Sequence, residues 1–317
     1  VPSPRATLVW LQDDLTPRPH SFADATVHRG PDVVDALVGV HQARVATRRL
    51  REVVPVAAVH LSGVRQRRLR RTLRDMTRAL GAVRECDVAL GMIAGLEQAA
   101  APALLAPLRA WTRRVRERRR DARPVLLSVC SADRVARVGA WIDDLVAARL
   151  LSRDDGWRER LSAQLDTRAQ RLRHAIDEAG VLFVPDALHE VRIAAKKLRY
   201  AIELVGECRL ASVTRQLSTL KRMQDVLGRL HDLDVLLADG PWTAAPATGT
   251  SAAEATPALW ADLVAGLDGE RRLLHATYLR RRATLVRLAD NVRDHLVARA
   301  RPSTSVQVAA SGTAHAV

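Results

Sequence analysis

Residues 41–51 read HQARVATRRLR, and residues 189–199 read HEVRIAAKKLR. The two stretches match at an offset of 148. Further along, Leu80 opens LGAVRECDVAL and Leu227 opens LGRLHDLDVLL, at an offset of 147. Between these blocks Leu73-Arg74 aligns with Leu220-Lys221, and Met76 with Met223. A repeat of this length means that one multi-helix unit of about 150 residues occurs twice. The basic cluster Arg118–Arg120 corresponds to Arg280–Arg282 at offset 162, with a longer second loop supplying the extra residues.

Placed on a helix, His41, Arg44, Arg48 and Arg51 are spaced 3, 4 and 3, which confines them to a stripe about 80° wide. Ala43, Ala46, Leu50, Val53 and Ala57 fall on the opposite face, and Pro55 is set to kink the helix before its end. In the second copy His189, Arg192, Lys196 and Arg199 form the stripe, and Val191, Ala194, Leu198, Ala201 and Val205 the apolar face. Arg49 and Lys197 flank the stripes. This reading puts Arg48 and Lys196 on a solvated polar face.

Most charged helix faces are merely solvated surface. A face selected for stability, however, mixes signs, with Glu four residues from Arg. These stripes are of one sign, repel themselves, and recur with the histidine in place. Such a stripe persists where a polyanion neutralises it.

Composition agrees. The chain has 317 residues, with 50 Lys+Arg against 35 Asp+Glu and a formal net charge of +15. Only Lys196, Lys197 and Lys221 are lysine; the remaining basic residues are arginine, whose planar fork donates bidentate hydrogen bonds to phosphate oxygens. Aromatic residues are 3%. That excludes binders that stack single-stranded bases on aromatic platforms, and it disfavours strands. Three scattered cysteines, Cys86, Cys130 and Cys208, form no CxxC pair, which fits a reducing cytoplasm better than a disulfide framework. The opening VPSPRATLVW lacks a signal-peptide pattern, and no apolar run approaches the ~20 residues of a membrane span.

Ala, Leu, Arg and Glu dominate nearly every segment, with apolar residues three and four apart. Helices are expected at 5–28, 32–54, 64–98, 102–128, 133–151, 157–179, 185–208, 211–238 and 257–299. Pro31-Asp32 and Pro185-Asp186 read as helix starts. The stretch Asp239 to Pro257 reads as a small-residue loop, and 302–317 as a disordered tail. The expected architecture is all-α: two four-helix bundles, 1–152 and 153–301, related by a pseudo-two-fold axis.

The next helix extends the basic surface through Arg67, Arg70, Arg71, Arg74 and Arg78, with Arg74 equivalent to Lys221. The acids Glu85 and Asp87 in one copy, and Asp232 and Asp234 in the other, are read as structural. They orient neighbouring arginines and cap a helix junction after Gly81 or Gly228. Taken with His41 and His189 they would instead suggest a metal-dependent phosphohydrolase. Each copy, though, offers at most one His and two acids, there is no HExxH motif, and no nucleophile sits beside a base. No phosphate-binding glycine loop occurs. Trp10, Trp111, Trp141, Trp157, Trp242 and Trp260 are scattered and are assigned to packing. The expectation is a binding protein without catalytic residues, metal or cofactor.

The paired motifs, HQARVATRRLR with LGAVRECDV and HEVRIAAKKLR with LKRMQDVLGRLHDLDV, resemble the conserved histidine α-helical domain, abbreviated CHAD, over roughly residues 5–300. The resemblance implies two four-helix bundles that bind inorganic polyphosphate along a basic surface between and across them. Its ligands here would be His41, Arg44, Arg48, Arg49, Arg51 and Arg74 with His189, Arg192, Lys196, Lys197, Arg199 and Lys221. Arg67, Arg70, Arg71, Arg78, Arg118, Arg119, Arg120, Arg280, Arg281 and Arg282 would be additional basic contacts. It also implies a place at cytoplasmic polyphosphate granules and polyphosphate-metabolising enzymes as partners. The chain departs from the family pattern at Glu85-Cys86-Asp87, where Arg-Asp-x-Asp is usual, and at His231, which stands at the equivalent of Arg84. The rival reading is a protein that binds nucleic acid through charge alone.

Overall fold

The computed structural model describes residues 32–57, 61–151, 156–243 and 257–301. The expected helix at 5–28, the tail from Pro302, Trp10 and most of the loop before Pro257 lie outside the described residues. Within them the chain is all-α. The helices are α1 Asp32–Ala57, α2 Gly63–Ala99, α3 Pro102–Val129, α4 Ala132–Leu151, α5 Gly156–Ala179, α6 Pro185–Glu207, α7 Thr214–Asp239 and α8 Pro257–Asn291. A wide π turn, Val292–Leu296, and a last turn, α9 Val297–Ala300, follow α8.

Local chemistry explains the boundaries. Ser62 caps α2 by accepting a hydrogen bond from the Arg65 amide. Pro102 and Pro185 open α3 and α6, where the missing N–H is harmless, and Asp186 favours the positive end of the α6 dipole. Gly180 follows α5 with φ +56°, a conformation that glycine adopts freely.

Two expectations are corrected here. α1 continues through Pro55 to Ala57. Gly81 and Gly228 lie inside α2 and α7. No junction exists there for the acids to cap, because the flanking apolar residues Leu80, Val83, Leu227 and Leu230 stay buried on one face of an unbroken helix.

Packing follows the apolar faces read from the repeat. Ala46, Leu50 and Val53 of α1 are buried, as are Val191, Ala194, Leu198, Ala201 and Val205 of α6. α1 packs on α2 and α2 on α3; in the second half α6 packs on α5 and α7, α7 on α8, and α8 returns to α5. That half is thus a closed four-helix ring. α1 also rests on α5 and α6, so that one core runs from Leu50 through Leu165 and Leu198 to Leu285. Each fully buried large apolar side chain contributes about 1.5–3 kcal/mol.

A second apolar cluster joins Ile93, Leu104, Leu108, Trp111 and Val115 to Leu233, Leu236 and Leu267. Trp242 stacks edge-on against both Trp111 and Trp260 within or beside it, at centroid distances of 5.4 and 5.6 Å. These tryptophans do pack, as does the buried Trp157. No helix among the described residues is long and apolar enough to cross a membrane.

Candidate functional site

The packing of α1 against α6 brings the two basic stripes together. Arg44 and Arg48 of α1 lie close enough to Arg192 and Lys196 of α6 for their charges to repel, and Arg84 of α2 joins them beside His41. The expected solvated face is therefore corrected. Arg44, Arg48, Arg192 and Lys196 are all half-buried, because each stripe faces the other half of the chain rather than bulk water.

The electrostatic consequences are large. Burial, followed by repulsion from Arg192, Arg48 and Arg44, lowers the Lys196 ammonium to a pKa of about 7. Burial and Arg48 bring Arg44 down to about 10 even though Glu85 lies 4.0 Å away. Arg192 is lowered by burial too, against the pull of Asp232. Among the described residues, the buried Nε atoms of Arg44 and Arg192 have no hydrogen-bond partner. These two arginines occupy equivalent positions in the repeat. Two buried cationic donors without acceptors are unusual, since such groups are normally satisfied.

The histidines differ between halves. His41 is exposed and has Arg84 as its main charged neighbour. His189 is half-buried and meets His231, with 3.1 Å between their Nδ1 atoms and ring centroids 4.3 Å apart. Burial, with Arg192 next, lowers His231 to about 4, and His189 is lowered for the same two reasons. Arg84 and His231 thus stand at the same repeat position beside equivalent histidines. The aligned blocks of the sequence carry that signal, but the stripe spacing that picks out the other site residues does not reach α2 or α7.

The remaining residues of the expected site divide. Arg51 is half-buried, lowered by burial, and near Arg74, which carries the basic surface onto α2. Arg67, Arg70, Arg71, Arg74 and Arg78 are exposed on α2, and Lys221 on α7. Arg49 and Arg199, by contrast, converge on the carboxylate of Glu203 at 3.1 and 2.8 Å, and Arg199 also donates to Gln224 Oε1 at 2.7 Å. Lys197 points away from the cluster. It lines a cleft of about 390 Å³ between α5 and α6 with Arg168, Arg171 and His174 on one side and Glu190 on the other. One residue is 100° of helix rotation, enough to move it to another face.

The arginine triplets are tied down in part. Arg118 grips Asp239 through two bonds of 2.8 and 2.5 Å, and Arg119 donates to Asp87 at 2.6 Å. Arg120 pairs with Glu117, Arg282 with Asp177, and Arg280 donates to Thr277. Arg281 is exposed.

Of the four acids, Asp87 sits on Arg119 with its carboxylate only 2% exposed, and Asp234 lies 3.6 Å from Arg271. Glu85 faces Arg44. Asp232 is raised by burial although Arg192 and Lys196 pull it down. Three of the four thus orient arginines. Among the described residues, no group of three His, Cys, Asp or Glu is arranged to hold a metal ion.

Known proteins bear on this arrangement in two ways. The CHAD domain family model matches residues 22–238. The crystal structure of the CHAD domain from the plant Ricinus communis superposes with a TM-score of 0.54 over 90% of each chain, at 21% sequence identity. No curated protein matches the chain.

Proposed function

We propose, for a chain that belongs to the CHAD domain family, that it binds inorganic polyphosphate in a basic groove between its two halves and does so without catalysis. The observation that carries this reading is the pair Arg44 and Arg192. Equivalent in the repeat and half-buried, each has a buried guanidinium Nε without an acceptor, beside Arg48 and Lys196. Burying cations together destabilises a free protein unless an anion completes the site. A chain of phosphoryl groups offers repeated oxygens to bidentate guanidinium donors along both stripes.

In this reading the ligand runs between α1 and α6 past His41, Arg44, Arg48, Arg84, His189, Arg192 and Lys196, and extends by Arg51 and Arg74 onto α2. Arg49 and Arg199 hold the helices in place through Glu203, and the two halves 1–152 and 153–301 contribute a wall each. Placement at polyphosphate granules and contact with polyphosphate-metabolising enzymes would follow from such binding.

A competition titration tests the reading. Labelled long-chain polyphosphate is displaced by duplex DNA at matched phosphate concentration and ~0.15 M salt, where exposed charges are screened beyond ~8 Å. Poor competition by DNA supports a groove that admits a thin chain and excludes a duplex. Equal competition would make the net charge of +15 a general polyanion sink. Phosphate release with and without a chelator checks the phosphohydrolase alternative.

A further inference from the structure

The candidate site contains four basic groups that titrate below the arginines: His41, His189, His231 and Lys196. The two imidazoles of the second half are in contact through Nδ1 atoms 3.1 Å apart, with the rings tilted by 43°. At that distance one Nδ1 donates and the other accepts, so the contact holds one proton, not two. Two imidazolium rings would set two N–H donors against each other.

The charged and titratable groups that face the pair and Lys196 come from three helices, with Arg84 of α2 acting on the adjacent Asp232. α1 contributes His41, Arg44 and Arg48. α6 contributes Asp186, Glu190 and Arg192, and α7 contributes Asp232. Burial is the strongest influence on the pair and on Lys196, with repulsion from Arg192 next, so the free site is underprotonated near neutrality. Lys196 is held at about 7 and His231 at about 4.

A polyanion laid along the site would reverse the local field. Each titrating group would then gain an opposite charge within reach, which favours its protonated form. We propose, building on the polyphosphate reading, that ligand binding here is coupled to proton uptake through opening of the His189–His231 contact and charging of Lys196, so that affinity rises as pH falls. The coupling is built into the second half. At the position equivalent to His231 the first half carries Arg84, a guanidinium in place of an imidazole.

The test is calorimetric titration of the full chain with long-chain inorganic polyphosphate at pH 8.5, 7.0 and 5.5 and fixed salt, in paired buffers of different ionisation enthalpy. The internal phosphoryl groups of a long chain stay ionised over this range, so a change reports on the protein. Each proton taken up steepens affinity by up to about tenfold per pH unit. The expected result is at least tenfold tighter binding at pH 5.5 than at 8.5, with net proton uptake. His231→Arg and Lys196→Arg put permanent cations at these positions and should each flatten the slope. Binding that is flat with pH and takes up no protons overturns this inference and leaves the polyphosphate reading standing. Absence of binding at every pH overturns both.

Discussion

The guanidinium of Arg168 grips the carboxylate of Glu52 through two hydrogen bonds of 2.8 and 3.0 Å, tying α5 to α1. Gln164 adds a third bond to the same carboxylate at 2.8 Å. Glu52 is buried, and its charge acts on a basic neighbourhood formed by Arg51, Lys197 and Arg168.

Glu52→Leu should therefore leave several cations uncompensated and destabilise the protein by about 3 kcal/mol, the scale for breaking a buried pair. The double variant Glu52→Leu with Arg168→Met should recover much of that loss, because it removes both charges. Urea unfolding midpoints of the wild type, both single variants and the double variant measure the coupling. Equal loss in single and double variants would show that Glu52 acts through packing alone.

How much of the fold is legible in the sequence depends on the periodicity of each element. The helix boundaries from α1 to α8 follow apolar spacing, prolines and caps, and expectation and structure agree within about three residues at most ends. The stripes are legible because His41 and His189 recur with their arginines. Their burial is not, since the facing of α1 against α6 is a tertiary relation that no single helix encodes. Glu52 has no counterpart in the repeat, where Tyr200 stands, so repeat comparison passes over it. Glu203 is within reach of sequence reasoning: it lies four residues after Arg199, the spacing of a helical ion pair. That spacing offers Arg199 an internal partner, but Arg48 has Glu52 at the same spacing; the two part only in the fold, where Glu52 is taken by Arg168 and Glu203 holds Arg199. Lys197 follows Lys196 directly in sequence, but neighbours in sequence occupy different faces of a helix, which is why it leaves the cluster.

The same distinction separates Arg48 from Arg199 experimentally. Arg199 is held by Glu203 and Gln224 at 2.8 and 2.7 Å. Arg199→Ala should lower stability by about 1.5–3 kcal/mol, the range for hydrogen bonds to charged groups, while polyphosphate affinity changes little. Arg48→Ala, in the midst of the cation cluster, should weaken polyphosphate binding at least tenfold and leave stability equal or higher. Thermal unfolding and binding measured on the same preparations decide it. A large affinity loss from Arg199→Ala would return that residue to the ligand set.

The exposed outer cations Arg74 and Lys221 should behave as simple phosphate contacts. Each phosphate that a cation neutralises releases counterions, so binding falls with log salt concentration by about 0.7 per contact for a single-stranded polyanion. Arg74→Ala and Lys221→Ala should each weaken binding modestly and reduce that slope by about 0.7. A titration series between 50 and 300 mM salt reads the slope directly. An unchanged slope would confine the ligand to the central cluster.

Lys196 sets stability and binding against each other, and the sign follows from its titration. Its pKa falls from 10.5 to about 7 in the folded protein. Between those values the unfolded chain binds the proton and the folded chain does not, so stability rises with pH across that window and is lowest below 7. Lys196→Met keeps the packing of the stem and removes the titration. At pH 7 and below it should stabilise the free protein, on the order of 2 kcal/mol once partial exposure is discounted, and the gain should shrink towards pH 10. With saturating polyphosphate the order should invert. The wild type then has the ammonium paired with phosphate, gains stability from ligand mass action, and exceeds a variant that binds less tightly. Melting temperatures of both proteins at pH 6.5 and 9.5, each with and without polyphosphate, test all four corners. If Lys196→Met destabilises the free protein at pH 6.5, the ammonium is already compensated within the fold, and the argument that these buried cations await an anion fails with it.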